Sequence, residues 1–397
     1  MWTVIKHTYL LALLLVAPLS AQVAVVSTAS YAPDFPVAPN SIASAFGETL
    51  APRTEGATVT PLPTMLASTQ VTVVDSAGQS FVCQLFFASP GQINFLVPPG
   101  AALGTATIEV GPPGGIIQSG TFEVASTGTG IFTVTDLFWM AGFILRVETD
   151  GTQTFLPVVE LRDGKVEPVP LQMSPGGDES SSYYLIIYGT GNIGSGDLSR
   201  VRTYIGFNDG VGSEADLIPT LFNGLQGDFV GLGQTNAGAI PRRMEWFGGG
   251  DRALAIEVDG DFSNLAWINV APNPNAPVIS NPLFALQGGD VPRMNYGFDF
   301  MDADGDLGPM AVTWLWEDDK AFCLSTRTLP AGPFTGDTSG RVAFNATKIN
   351  GTMLGPIVQV TFSVRDSAGH VSNELVFVPA AGTLGNFNER CDLYELK

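Results

Sequence analysis

Histidine is nearly absent: the 397-residue chain has two. Ser–His–acid and Cys–His mechanisms both need a histidine placed by a fold, and so do histidine-based zinc and iron sites. Cysteine is almost as scarce, with three residues at spacings that match no zinc pattern. Charge is thin as well, at 14% against a usual ~25%. What charge there is runs one way, with Lys+Arg 18 against Asp+Glu 38 and a net charge of −20. Such a surface repels phosphate backbones and anionic lipid, which argues against nucleic acid as a partner. No segment sustains a 3.6-residue amphipathic period with caps, so few helices are expected.

What is present is apolar and turn-rich. Hydrophobic residues make up 45%, enough for sizeable cores, and Gly 46 with Pro 28 exceeds the usual share. That excess fits many short strands joined by turns. Residues 1–21, MWTVIKHTYLLALLLVAPLSA, have the layout of a secretory signal peptide. Lys6 and His7 precede an apolar core from Tyr9 to Val16, and small residues end at Ala21. The expected product is secreted or held at the cell surface, with no membrane span in the mature chain. Export makes a Cys323–Cys391 disulfide plausible, while Cys83, in the apolar run FVCQLFFA, reads as a buried thiol.

Two signatures recur at one spacing. Phe46-Gly47-Glu48-Thr49 and Tyr188-Gly189-Thr190-Gly191 place their first glycines 142 positions apart. Gly91-Gln92-Ile93-Asn94 and Gly233-Gln234-Thr235-Asn236 are separated by the same 142. The equal offsets predict two copies of one domain, at 30–127 and 175–271, with a connecting hairpin segment at 128–174. VTVVD and SFVCQLFFA flank a turn at 76–78, and Asp163-Gly164 and Asp259-Gly260 mark further tight turns. After the Pro/Asn stretch 271–278 a third β-module is expected at 277–380, followed by a tail at 381–397. The predicted class is all-β, a tandem array of immunoglobulin-like β-sandwiches.

The blocks APNSIASAFGETLA (38–51), PLPTML (61–66), FASPGQINFLVPPGAALGTATIEV (87–110), YLIIYGTGNIG (184–194) and GLGQTNAGAIP (231–241) carry a resemblance. In that order they resemble the Solibacter-type uncharacterised C-terminal domain of acidobacterial secreted proteins, over about 30–271. The resemblance implies paired immunoglobulin-like folds in an extracellular multidomain protein and no known activity. Asn192 and the 236–238 block depart from the family's pattern. The third module resembles bacterial Ig-like, cadherin-like or fibronectin-like domains through DFMDADGDLG (299–308) and VRDSAGHVSN (364–373).

The sharpest chemical feature is Asp302-Ala303-Asp304-Gly305-Asp306. Three carboxylates at alternating positions repel one another unless a cation or water separates them. Calcium, the candidate cofactor, takes six to eight oxygen ligands, and a glycine lets the loop curl. An acidic hairpin turn uses the same residues. Asp318, Asp319 and Asp366 are candidates for further oxygens. His370 lies in a turn-like AGHVSN and is expected to be solvated. The G-Q-x-N amides fit either sugar hydroxyls or, more commonly, backbone groups at a turn. Trp314 and Trp316 share a strand face, which suits a core or a sugar platform. GTGNIGSG (189–196) lacks the Gly-Lys-Ser/Thr of a phosphate loop. The leading expectation is a non-catalytic secreted or surface protein for adhesion or extracellular interaction, with a protein or polysaccharide ligand. A carbohydrate-binding protein and a hydrolase using a carboxylate pair are the alternatives.

Overall fold

The structure is a computed structural model. It describes residues 23–397 except 34, 117, 135–137, 192–196, 207–216, 243, 245–248, 288–292, 318–321, 330–335, 347–352, 378–383, 387–391 and 395–397. The expected signal peptide lies outside the described residues. The chain divides into two compact units, 1–128 with 227–232, and 129–226 with 233–397. The fold is all-β, with its strands in largely antiparallel sheets; among the described residues two short 3₁₀ turns, Pro175–Gly177 and Leu198–Arg200, are the named helical elements.

In the first unit nine strands form a sandwich: β1 (Ala24–Ser27), β2 (Ile42–Phe46), β3 (Glu55–Gly56), β4 (Gln70–Val74), β5 (Ser80–Val82), β6 (Leu85–Ala88), β7 (Gln92–Leu96), β8 (Gly104–Gly111) and β9 (Gln118–Val124). One sheet runs β1-β2-β7-β6-β3 and the other β5-β4-β8-β9. Alternation along the strands sends Ala43, Ala45, Ile93 and Phe95 inward from one sheet and Val71, Val73, Ile108 and Val110 from the other. Each fully buried Val or Ile contributes about 1.5–3 kcal/mol. The run SFVCQLFFA is not one strand. It changes sheet between β5 and β6, where the Cys83 N–H donates to Val71 O and the Leu85 N–H to Pro63 O. Cys83 is buried as expected, and burial pushes its thiol up to about 12.

The second unit opens with β10 (Gly130–Ile131), β11 (Thr133–Val134), β12 (Trp139–Met140), β13 (Gly142–Val147), β14 (Gln153–Pro157), β15 (Val159–Arg162) and β16 (Lys165–Pro168). It continues with β17 (Ser182–Thr190), β18 (Val201–Ile205), β19 (Leu217–Ile218), β20 (Thr220–Leu225), β21 (Gly233–Gly238), β22 (Gly250–Val258), β23 (Asp261–Phe262) and β24 (Ala266–Val270). The sheets run β14-β13-β17-β21-β20 and β11-β12-β24-β22-β18-β19. Asp163-Gly164 turns the hairpin β15–β16 with both residues at positive φ, as expected. The rest of 128–174 does more than connect: β13 pairs β17 over six residues and carries β14 on its outer edge. The apolar alternation of β13 and β14 explains this, because Ile144 and Leu156 have a core to join.

The two copies share their register. Phe46 pairs with Gln92 and Ser44 with Asn94; Tyr188 pairs with Gln234 and Ile186 with Asn236. The third sandwich packs β25 (Val278–Gln287), β26 (Arg293–Met301) and β29 (Ser339–Ala346) against a second sheet. That sheet comprises β27 (Leu307–Glu317), β28 (Phe322–Leu329), β30 (Met353–Asp366), β31 (Leu375–Phe377) and β33 (Asp392–Tyr394), with β32 (Leu384–Asn386) on β30. Phe298 and Phe362 meet between the sheets with centroids 5.9 Å apart. β28 pairs β33 with Cys323 opposite Leu393. Cys391, and with it the expected disulfide, lies outside the described residues.

Candidate metal centre

The acidic loop joins β26 to β27. Its first residue, Asp302, donates its backbone N–H to Thr338 O at 2.9 Å, which draws the loop under the start of β29. Gly305 sits at φ +71, a left-handed conformation, and a Cβ there would lie 3.2 Å from the Gly336 backbone. Gly336 in turn donates to Gly305 O at 2.6 Å. On the other side Ser367 holds Asp306, its N–H donating to Asp306 O at 3.0 Å and its hydroxyl to Asp306 Oδ2. The loop is therefore clamped between two backbone segments, and its carboxylates converge. Oxygens of Asp302, Asp304 and Asp306 all lie within 4.8 Å of one another.

The electrostatics are uneven. Asp302 is 1% exposed, and neither of its carboxylate oxygens has a hydrogen-bond partner. Burial, followed by the neighbouring Asp304, Asp306 and Asp366 carboxylates, pushes its pKa up to about 6. Asp306 also feels desolvation, but the Ser367 hydroxyl, the Asp304 carboxyl and the Ser367 and Ala368 N–H groups hold it below the ordinary carboxylate range. A buried carboxylate without donors or a counter-charge is costly, by several kcal/mol. Three carboxylates this close suit a hard divalent cation: calcium–oxygen distances of about 2.3–2.6 Å put opposite ligands roughly 4.6–5.2 Å apart.

The other expected oxygen donors fare differently. Asp366 is buried, but its Oδ1 accepts the Gly369 and His370 N–H groups at 2.7 Å each, and its Oδ2 meets His370 Nδ1 at 2.6 Å. Asp299, just before the loop and not among those donors, is bound to Arg341 at 2.7 Å and Asn281 at 2.8 Å. Asp318 and Asp319 lie outside the described residues. His370 is not solvated. It is 8% exposed, with Nδ1 on Asp366 and Nε2 3.4 Å from Glu179 Oε1. Glu179 also accepts from Asn273 Nδ2 at 3.0 Å. The histidine thus stands between two carboxylates and ties the turn 366–370 to the segment before β17. The turn chemistry of AGHVSN hid this, because the partner is nearly two hundred positions away in sequence.

Elsewhere the expected amides pair with each other in both copies. Gln92 Nε2 donates to Asn94 Oδ1 at 2.8 Å, and Gln234 to Asn236 at the same 2.8 Å. Trp314 and Trp316 both lie on β27, in register with Ser325 and Cys323; their side chains lie outside the described residues.

No protein-family model matches the chain, and no curated protein matches it. Solved structures do. Escherichia coli alpha-2-macroglobulin activated by porcine elastase aligns over 94% of this chain at 14% identity and a TM-score of 0.27. A tetra-tandem repeat from the extending region of a large adhesion protein aligns over 91% of this chain and 100% of its own length, at 12% identity and TM-score 0.16. Titin domains A168–A170 align over 90% of this chain and 99% of their own length, at 9% identity and TM-score 0.19. The chain spans 31% of the macroglobulin's length. These likenesses carry no argument about function.

Proposed function

We propose that the protein is a non-catalytic, modular extracellular protein for adhesion or extracellular interaction, whose third sandwich is locked by calcium. The observation that carries the calcium reading is Asp302, a buried carboxylate with two unpartnered oxygens facing two further carboxylates. Asp302, Asp304 and Asp306 would hold the ion, which neutralises their repulsion and fastens the β26–β27 loop. The non-catalytic reading is supported by His370, whose two ring nitrogens both face carboxylates rather than a nucleophile. The signal-peptide layout and the resemblance of 30–271 to secreted domains support the location.

Differential scanning calorimetry of the full chain tests the calcium reading. Calcium at a hundredfold excess over Kd should stabilise the third sandwich by about 2.7 kcal/mol. EDTA should reverse the shift, and Asp302→Asn should abolish it while leaving the first unit's transition in place. A wild-type thermogram unchanged by millimolar calcium rules the reading out. A pull-down over cells and extracellular matrix that yields no ligand, with calcium or with EDTA, counts against the interaction role.

A further inference from the structure

The second sandwich gathers three aromatic rings on one face. Along β13 and β17, Ile144, Leu185 and Ile187 point to the core, so Phe143 and Tyr188 stand on the opposite side. There Phe143 is 41% exposed and Phe155, on the edge strand β14, is 60% exposed. The rings hold each other edge to face: Phe143 to Phe155 at 6.1 Å and 84°, Phe143 to Tyr188 at 6.4 Å and 90°. Directly across from Tyr188 lies Gln234, bonded to Asn236 at 2.8 Å. That bond uses one N–H of Gln234 and one lone pair of Asn236. Gln234 Oε1 and the Asn236 NH₂ are not part of it.

The first sandwich differs at the same register. At the matching register it has Val26 where the second has Phe143, and Ser44 where the second has Ile186. Val26 is 7% exposed and Ser44 is fully buried, its hydroxyl donating to Asn94 at 2.9 Å. Among the described residues no strand of the first sandwich corresponds to β14. The first sandwich has a ring pair here too: Tyr31, 51% exposed, lies 6.1 Å from Phe46, the residue matching Tyr188, but among the described residues no ring there matches Phe143 or Phe155.

We infer that this face, built from Phe155, Phe143 and Tyr188 beside Gln234 and Asn236, binds a neutral polysaccharide. Aromatic rings pack against the C–H faces of pyranose rings, and carboxamides donate to and accept from hydroxyls. The alternating residues of β13, β14, β17 and β21 that share this face include no Asp, Glu, Lys or Arg, although the chain holds 38 acidic residues. A face without charge gives no Coulombic preference for an ionic ligand over a neutral one. The edge-to-face contacts pre-order the rings, which lowers the entropy lost on binding.

This inference names a ligand class for the extracellular-interaction reading and rests on it, but not on calcium. The test is affinity gel electrophoresis of the full chain through xyloglucan, galactomannan and barley β-glucan, with polygalacturonate as the anionic control. At least one neutral gel should retard the chain while polygalacturonate does not. Phe155→Ala and Gln234→Ala should each weaken binding about tenfold, with the melting profile unchanged for Phe155→Ala because that ring is exposed. No retardation by any neutral gel, or equal retardation of wild type and both variants, overturns the inference. A concentration-dependent dimer by light scattering that Phe155→Ala abolishes would make the face a contact between copies, and would overturn it too. Repeating the gels in EDTA separates the readings. A chain that responds to calcium but binds no neutral glycan overturns this inference alone, and retardation preserved in EDTA leaves it standing apart from the acidic loop.

Discussion

The first and second sandwiches start from one pattern and end with different surfaces. Both pair an aromatic residue with a glutamine and set an asparagine two residues on, at registers displaced by the same number of residues. In the first, Ser44 closes the amide pair and the position is buried. In the second, Ile186 replaces the serine, and the added strand β14 brings a ring beside Phe143. The repeated motif keeps its register and half-buried amides in both, whereas the elements around it decide which rings stand beside it: Tyr31 in the first, Phe143 and Phe155 in the second.

Exchanging residues between the copies tests how far they are equivalent. The largest effect is expected at Gly142. Val25 occupies the matching position in the first sandwich, but a Cβ at Gly142 would lie 2.0 Å from Ile186 O. Gly142→Val should therefore destabilise the second sandwich by about 4 kcal/mol or more, because a backbone atom cannot move aside cheaply. Calorimetry should show the second unit's transition lowered and the first unit's unchanged. Next is Leu185→Ala, which installs the residue found at the matching Ala43. Leu185 is fully buried, so a loss of about 3 kcal/mol is expected by chemical denaturation. A loss near zero would mean the second core collapses as easily as the first.

Two buried carboxylates sharpen the contrast by pH. Asp75 in the first sandwich is 5% exposed, with Oδ2 accepting the Ala102 N–H and Oδ1 those of Ala77 and Gln79. The Ala102 and Gln79 amides lead in lowering its pKa. Its contribution is present above the ordinary carboxylate value of about 3.9 and is lost as pH falls. Asp302 is as deeply buried but has no donors, and its pKa stands at about 6. Its contribution is full below about pH 4 and is lost as pH rises through about 6. In EDTA, raising pH from 4 to 7 should lower the third sandwich's melting temperature by several degrees, and Asp302→Asn should flatten that response. Calcium should invert it, because only the ionised carboxylate ligates. The smallest effect belongs to Ser44→Ala, about 1 kcal/mol in the first sandwich for the lost bond to Asn94.

Much of the fold was legible in the residues. Alternating β-branched runs located β4 and β8, and Asp-Gly pairs located the turns at 163–164 and 259–260. The acidic triplet was legible too, because its residues are neighbours in sequence. Other features were not. The split of SFVCQLFFA between two sheets depends on which strands receive Cys83 and Leu85. The burial of His370 depends on Glu179, a partner no local pattern can name. The aromatic face was missed because Phe143, Phe155 and Tyr188 come from three strands and share no sequence motif; only the alternation of β13 and β14 hinted that one side of each would face outward.

By itself the sequence determined the all-β class, the duplication, and the cluster of carboxylates, because periodicity, turn chemistry and charge spacing act over a few neighbouring residues. Only the tertiary structure decided which carboxylate is left without donors, where the lone histidine of the third sandwich is held, and that Phe143, Phe155 and Tyr188 meet on one face. Those outcomes depend on strand register and burial, and both are set by contacts between residues far apart in the chain.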